Sequence, residues 1–123
     1  MDEMDNGVLG LYFHGNWSEF RFGPDCSFLE LTPVKMVQEV AHTPSKILIL
    51  NFSKTLTIHP QCLLWIEQLV AYADTKSVRV RAYIPKNKRI GRLLKLMHYD
   101  RFLLISSSLE ELLEPSLIRK FAF

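Results

Sequence analysis

The sequence predicts an α/β domain: a mixed central sheet of about four to five strands, with helices packed mainly on one side and a hairpin at the amino terminus. Three observations carry this prediction. Apolar and polar residues alternate near the amino terminus, which is the pattern of half-buried strands. Short apolar runs rich in branched residues occur later in the chain. Segments with apolar residues three or four positions apart separate these runs, as in a sheet built through right-handed crossovers.

Length and composition indicate one domain over residues 1–123, with residues 1–7 as a flexible tail. The hydrophobic fraction of 48% and the charged fraction of 23% are ordinary for a globular protein. The acidic start lacks the basic residues and the apolar run of a secretory signal, and no apolar stretch is long enough for membrane insertion. Cys26 and Cys62 lie far apart, and we interpret both as reduced thiols. These features predict a cytoplasmic protein.

Charge is distributed unevenly, although the formal net charge is only +2. Residues 1–31 hold six acids and one base, whereas residues 76–101 hold nine bases and one acid. A surface polarised in this way favours charged partners.

The amino-terminal hairpin is predicted from two strand candidates, Val8–His14 and Trp17–Phe22, with a turn between them. Alternation in the second candidate places two sets of side chains on opposite faces: Trp17, Glu19 and Arg21 against Ser18, Phe20 and Phe22. The aromatic residues of the hairpin fit core packing, and an exposed part of them would instead serve a dimer or partner surface. They are Phe13, Trp17, Phe20 and Phe22.

A helix is predicted to begin after Thr32, because Thr is a good N-cap and Pro33 suits the first helical position. An apolar stripe then follows along one face, made of Val34, Val37, Val40 and Ala41. Pro44 ends the helix, since the residue before a proline resists helical dihedrals.

The central part of the chain supplies strand, helix and strand in turn. Ile47–Phe52 is apolar on both faces, as in a central strand covered from both sides. Apolar spacing predicts a helix over Cys62–Ala73, and Val78–Ile84 reads as the next strand. Arg79 and Arg81 share one face of that strand, which indicates that this face is open to solvent.

A second amphipathic helix is predicted over Arg89–His98, followed by a short strand over Phe102–Ile105. The apolar face of the helix holds Ile90, Leu93, Leu94 and Met97, and its polar face holds Arg89, Arg92 and Lys95. Ser108 and Glu111 form a capping box for a final helix.

Several of these segments occur together in one known fold. They are Ile47-Leu-Ile-Leu-Asn-Phe-Ser53 as a central strand, Leu63-Leu-Trp-Ile-Glu-Gln-Leu69 as the helix after it, Val78–Ile84 as the next strand, Arg89-Ile-Gly-Arg-Leu-Leu-Lys-Leu-Met97 as a later helix, Tyr99-Asp-Arg-Phe102 as a linker and Ser108-Leu-Glu-Glu-Leu112 as the start of a closing helix. In this order and spacing, residues 46–113 resemble the STAS domain, the fold of bacterial anti-sigma factor antagonists. The first 45 residues match more loosely, as a hairpin plus one helix.

The resemblance implies a non-enzymatic module that binds a protein partner through the loop and helix after the central strand. In that family the loop carries Asp-Ser, then Ser or Thr, then Gly, and a partner kinase phosphorylates the hydroxyl to switch binding off. A phosphate there adds a charge of about −2 to the docking surface. His59-Pro60-Gln61-Cys62 replace the motif in this sequence, so no phosphorylation is expected at the usual position. Thr57, two residues earlier, is the remaining candidate.

The resemblance also implies a set of partner-binding residues and no catalytic residue, metal or cofactor. The set consists of Thr57, His59, Pro60, Gln61, Cys62, Leu63, Trp65, Ile66, Arg89 and Arg92.

Other interpretations of these residues stay open. His59 is either a solvated loop residue or a pH-sensitive or metal-binding group. Cys62 is either a small apolar residue of the first helical turn or a nucleophile activated by the helix terminus. The basic segment near Arg89 is either a solvated face that suits an acidic protein, or a site for nucleic acid or anionic lipid.

Three functions follow, in order of preference. The first is a regulatory module that binds an anti-sigma factor or a kinase-like regulator, with a homodimer as a further possibility. The second is an accessory STAS subunit of an ABC-type lipid transport system, whose partner would be the ABC ATPase. The third, which we do not expect, is a nucleic-acid-binding module that uses the basic half of the chain.

Overall fold

A computed structural model describes residues 10–26, 31–44, 46–86 and 88–113. The strands within these ranges are β1 (Gly10–Phe13), β2 (Ser18–Arg21), β3 (Ile47–Asn51), β4 (Arg79–Tyr83) and β5 (Leu104–Ser106). The helices are α1 (Pro33–Ala41), α2 (Pro60–Thr75), α3 (Arg89–Leu96) and α4 (Leu109–Leu112), and a 3₁₀ turn spans Tyr99–Arg101. The predicted tail at residues 1–7 lies outside the described residues.

The strands lie in one sheet in the same order as along the chain. β1 pairs antiparallel with β2 through the predicted hairpin, whereas β2, β3, β4 and β5 are parallel neighbours. Parallel strands added in one direction by right-handed crossovers bring their connecting helices to the same face. Residues of α1, α2 and α3 accordingly share one core with that face of the sheet. This arrangement confirms the predicted α/β sheet with helices mainly on one side.

Alternate residues of the strands build the core beneath these helices. Leu48 and Leu50 of β3 are fully buried there, and Leu50 lies between Phe20 of β2 and Ala82 of β4 in the strand register. The helices add buried residues to the same core: Met36, Val37, Val40, Ile66, Leu69, Ile90 and Leu94.

The opposite face of the sheet has its own, smaller apolar cluster. Ile47 and Ile49 of β3 point to that side and pack with Leu112 of α4. Both faces of the central strand are therefore covered, as its apolar sequence predicted.

The start of α1 confirms its predicted cap, because the Thr32 hydroxyl accepts a hydrogen bond from the Lys35 amide at 3.1 Å. The predicted apolar stripe was wrong at Val34, which is exposed, while Met36 is fully buried. The side of α1 that faces the core is the one on which Met36, Val37 and Val40 lie. A residue at position 34 is turned roughly 100° away from the middle of that side.

α3 is shorter than predicted and buries a narrower stripe. Ile90 and Leu94 are in the core, whereas Leu93 and Met97, which were expected beside them, are exposed. Two residues one turn apart are sufficient to anchor a helix of eight residues, and the wider apolar pattern extends onto its outer side.

The predicted capping box of α4 is half formed. The Ser108 hydroxyl accepts from the Glu111 amide at 3.2 Å, as expected. The Glu111 carboxylate instead accepts from the Ser106 hydroxyl at 2.6 Å, and that hydroxyl accepts from the Ser108 amide at 3.0 Å.

The expectation that the face of β4 with Arg79 and Arg81 is open to solvent was wrong at Arg81. Arg79 and Arg81 do share a face, and Arg79 is exposed, but Arg81 is only 1% exposed. Its Nη1 donates to the carbonyl oxygen of Leu112, and α4 therefore covers it. Nε and Nη2 of Arg81 have no hydrogen-bond partner among the residues that the structure describes. Burial, and then repulsion from Arg79, lowers the pKa of this guanidinium.

Glu19 of β2 is the second buried charge of this face, and it is well paired. Its carboxylate accepts hydrogen bonds from Asn51 Nδ2 at 2.6 Å, from His14 Nε2 at 2.8 Å and from Arg21 Nε at 3.0 Å. Burial alone would raise the pKa of Glu19. The hydrogen bonds from Arg21, Asn51 and His14 outweigh burial, and the pKa lies below its ordinary value.

Of the helices in these ranges, none combines the length and the apolar character needed to span a bilayer.

Glu19→Gln is expected to lower the free energy of unfolding at pH 7 by about 1 to 3 kcal/mol, because charge-assisted hydrogen bonds are lost from a buried site. The folded pKa lies below the unfolded value, so this stabilisation is present above pH 4.5 and is lost as the pH falls through the folded pKa. Urea unfolding should be measured for the wild type and the variant between pH 7 and about pH 2. The difference between their free energies of unfolding should become smaller as the pH falls. Exposed Glu39 provides the control variant Glu39→Gln, and a difference that does not change with pH would contradict the assignment.

Arg81→Met is expected to leave the free energy of unfolding unchanged or to raise it by about 1 to 4 kcal/mol, because an incompletely paired buried charge is replaced by an apolar side chain. Arg79→Met, on the exposed neighbour, should change it by less than about 0.5 kcal/mol. Chemical denaturation of both variants measures the effect. A clear loss of stability in Arg81→Met alone would mean that the guanidinium has a compensating partner.

Candidate functional site

The loops that follow the parallel strands all leave from one edge of the sheet. Hydrogen bonds continue the ladder just beyond the strand ends, from the Phe22 amide to Asn51, from Phe52 to Tyr83 and from Ile84 to Ser106, each ending on a carbonyl oxygen. In open sheets of this type the carboxyl edge is where ligands bind. The loop between β3 and α2, which was predicted to dock a partner, lies at this edge.

That loop is held at its beginning and in its middle. The Ser53 amide donates to Asn51 Oδ1 at 2.8 Å as the chain leaves β3. Further along, the carbonyl oxygen of Pro24 accepts from the amides of Leu56 and Thr57, at 2.7 Å and 3.1 Å. The loop after β2 therefore supports the loop after β3.

A disulfide joins Cys26 and Cys62, whose Cα atoms are 6.2 Å apart. The expectation of two reduced thiols was wrong, and so was the nucleophile interpretation of Cys62, since its sulfur is buried and bonded. The bond links the loop after β2 to the first turn of α2 across a sequence separation of 36. Sequence distance gave no sign of this contact, which the fold creates by bringing two neighbouring loops together.

The start of α2 is exposed and lacks a side-chain cap. His59 is the N-cap residue and makes no capping hydrogen bond, and Pro60 follows as the first helical residue. Thr57, His59, Pro60 and Gln61 are all exposed, so four of the predicted partner-binding residues are accessible to a partner. The prediction that no phosphorylation switch operates here, with Thr57 as the remaining candidate, stays a prediction.

Three predicted partner-binding residues face the core instead. Cys62, Trp65 and Ile66 are buried, so a protein that docks on the folded chain would not touch them. Trp65 lies in an aromatic cluster, with ring centroids 5.6 Å from Phe20 and 5.9 Å from Phe22, and its Nε1 donates to the Leu31 carbonyl at 2.8 Å. Leu63 is half-buried.

The hairpin aromatics divide between core and surface. Phe20 and Phe22 are buried, as core packing predicted. Phe13 is exposed, and half-buried Trp17 stacks on His14 with ring centroids 4.2 Å apart.

Two exposed leucines flank the start of α2 and were missed from the sequence. Leu56 precedes the helix and is 67% exposed, and Leu64 lies on its outer side and is 56% exposed. Position 64 is one turn beyond Gln61, and that spacing is the signal that could have indicated Leu64.

α3 contributes a second exposed apolar set together with exposed cations. Leu93, Leu96 and Met97 lie three and four positions apart on its outer side, and Leu96 is 76% exposed. Arg89 and Arg92, which were predicted to bind a partner, are exposed on the same helix.

Tyr99 connects α2 with the segment after α3. Its hydroxyl donates to the Glu67 carboxylate, and its ring contacts that of exposed Phe102 at a centroid distance of 5.1 Å. Burial, and then the bond to Glu67, raises the pKa of Tyr99 to about 12. These contacts connect exposed Glu67 of α2 with exposed Phe102. We call Leu56, Leu64, Leu93, Leu96, Met97 and Phe102 the apolar docking residues.

The described ranges contain no group of three or more His, Cys, Asp or Glu residues that could hold a metal ion. Compared with known proteins, the chain matches no family model and no curated protein sequence.

Reduction of the Cys26–Cys62 disulfide is expected to loosen the loop before α2 and to lower the free energy of unfolding by about 3 to 4 kcal/mol, because an unfolded chain without the bond gains loop entropy. The amides of Leu56 and Thr57 both donate hydrogen bonds to the Pro24 carbonyl oxygen, and their hydrogen exchange should become faster in the reduced protein. The variant Cys26→Ser/Cys62→Ser should behave like the reduced protein and should not respond to reductant. Wild-type stability that is independent of reductant would contradict the pairing.

Proposed function

We propose that this chain is a non-enzymatic protein-interaction module that resembles an anti-sigma factor antagonist. Its partner would be a regulatory protein with an apolar surface surrounded by acidic residues. The observation that carries the proposal is the exposure of the apolar docking residues, which stand before and in the first turns of α2, along the outer side of α3 and just before β5. Large exposed apolar side chains that gather on one part of a surface are typical of interaction sites.

The charges around these residues support an acidic partner. α3, from Arg89 to Leu96, contains no Asp or Glu, and exposed Arg89 and Arg92 stand beside its exposed leucines. An acidic surface opposite this helix would speed association and favour one orientation of docking. Arginine is among the residues that most often make strong contacts at interfaces, so Arg89 and Arg92 would add to the apolar contacts.

The exposed start of α2 supports the same proposal. Thr57, His59, Pro60 and Gln61 lie between Leu56 and Leu64 in sequence. Hydrogen bonds to Asn51 and to the Pro24 carbonyl oxygen hold the segment before them in place before a partner arrives, and the disulfide adds to this wherever it is closed. A preorganised loop loses less conformational entropy on binding. Permanent docking, without a phosphorylation switch, fits the absence of a hydroxyl in His59-Pro60-Gln61-Cys62.

A cytoplasmic location belongs to this proposal and has a chemical consequence. Cytosolic thiols are kept reduced, so the Cys26–Cys62 pair would be open in that compartment. The docking loop would then be held by hydrogen bonds without the disulfide, from the Ser53 amide to Asn51 and from the Leu56 and Thr57 amides to the Pro24 carbonyl oxygen.

Capture of partners from the source cell, followed by mass spectrometry, tests the proposal when matched variants are compared. Leu64→Glu/Leu96→Glu is expected to reduce retention of the specific partner by at least about tenfold, because it places acids on an apolar surface that faces an acidic protein. Phe13→Glu/Val34→Glu is the control, since both side chains are exposed apolar residues outside the docking residues.

The identity of the retained protein distinguishes the candidate partners. A kinase-like regulator or anti-sigma factor supports the first function, an ABC ATPase supports an accessory transport subunit, and a second copy of the chain supports a homodimer. Equal retention by both variants would contradict docking through α2 and α3.

A further inference from the structure

We propose that a cleft at the carboxyl edge of the sheet binds a phosphate group, carried either by a small molecule or by a phospholipid headgroup. The cleft lies between the connection from β4 to α3 and the connection from β5 to α4, and its volume is about 380 Å³. Its ligand is a small anion rather than a protein, so the inference goes beyond the proposed docking function and does not rest on it.

Four cationic side chains line this cleft: Lys86, Lys88, Arg92 and Lys95. None of them forms an ion pair or a side-chain hydrogen bond with a residue in the described ranges, and no acid is among the lining residues. Lys88 is half-buried and the other three are exposed, and like charges that line one cleft repel one another. A bound anion would relieve this repulsion.

The first turn of α3 adds donors of the same sign. Lys88 is its N-cap residue and makes no capping hydrogen bond, and the first turn contains no acid. The amides at the start of a helix have no partner within the helix, and they carry its positive dipole end. Lys88 and Arg89 at this position are unfavourable for the helix when no anion is present. Backbone amides and cationic side chains therefore both favour a negatively charged ligand at this place.

The serines on the opposite wall differ in what they can donate. The Ser106 hydroxyl already donates to the Glu111 carboxylate at 2.6 Å, so its proton is not free for a ligand. Ser107 lines the cleft and makes no side-chain hydrogen bond to a described residue. An anion would consequently bind on the side of Ser107 and α3, away from the negative charge of Glu111.

Phosphate suits this set of donors better than a carboxylate does. It presents several acceptor oxygens and carries a charge of about −1 as a diester, or about −1.5 to −2 as a monoester, near neutral pH. The cleft offers lysine, arginine, hydroxyl and backbone donors around one space. The volume is within the range of small-molecule sites, so an organic group attached to the phosphate can also be accommodated.

Inorganic phosphate is the first probe. In amide NMR of the full chain, titration with sodium phosphate should give saturable shifts centred on Lys88–Arg92 and on Ser106 and Ser107, whereas sodium chloride at equal ionic strength should not. Lys88→Gln/Arg92→Gln is expected to weaken phosphate binding by at least about tenfold. Lys35→Gln/Lys54→Gln removes the same charge from exposed lysines outside the cleft and should bind like the wild type.

Vesicles distinguish the two sources of phosphate. Co-sedimentation with equimolar phosphatidylglycerol and phosphatidylcholine, but not with phosphatidylcholine alone, and loss of this binding in Lys88→Gln/Arg92→Gln, would identify a lipid headgroup. Saturable binding of inorganic phosphate without vesicle binding would identify a free small molecule, and both outcomes support the cleft.

Shifts that follow ionic strength in the same way for phosphate and chloride, or equal effects of the cleft and control variants, would overturn the proposal. Folding of each variant is checked by its unfolding midpoint. The docking test uses leucine variants outside the cleft lining. The two proposals can therefore fail independently, and each result can be interpreted by itself.

Discussion

The hydrogen bond between Glu19 and Asn51 is the contact on which the arrangement of the described chain most depends. A carboxylate on β2 is buried beside the central strand, and such a group is tolerated only where donors surround it. His14 and Arg21 supply donors from the hairpin, and Asn51 supplies one from β3. Asn51 also accepts a hydrogen bond from the Ser53 amide, at the point where the loop toward α2 begins. One polar network therefore fixes the hairpin, the parallel pairing of β2 with β3, and the start of the docking loop.

Local periodicity was sufficient for the order of elements and for the faces of the hairpin, because alternation and helical spacing depend on neighbours in sequence. It failed where burial depends on a distant segment. Val34 and Leu93 belong to apolar patterns wider than the surface that each helix covers. Arg81 is a charged residue that is nevertheless buried, and its hydrogen-bond partner, the Leu112 carbonyl oxygen, lies 31 positions away in the sequence. The Cys26–Cys62 bond has the same origin, since it follows from the adjacency of two loops at one sheet edge.

The position of the candidate site stays a prediction, while three of its predicted residues, Cys62, Trp65 and Ile66, are buried. The order of strand, loop and helix predicts it at the start of α2, where Thr57, His59, Pro60 and Gln61 are exposed. The run from Cys62 to Ile66 is apolar at every position, so this run taken by itself does not tell which side chains face the core. Trp65 packs on Phe20 of β2 and on Phe22 just after it, and Leu64 is consequently left outside. The polar residues Gln61, Glu67, Gln68 and Asp74 share the outer side of α2 with Leu64, so the spacing of the whole helix indicates the orientation that this short run does not.

α3 connects the two proposed sites, because its outer residues belong to docking and Arg92 belongs to both docking and the phosphate cleft. A phosphate that engages Arg92 neutralises a cation that an acidic partner would otherwise meet, whereas Arg89 is outside the cleft lining. The two ligands would then oppose each other, and by linkage each would weaken the affinity for the other by the same factor. The strength of that opposition is bounded by one shared guanidinium, since the apolar contacts of Leu93, Leu96 and Met97 do not depend on phosphate. Electrostatics on this helix would thus adjust an interaction whose main affinity comes from apolar burial.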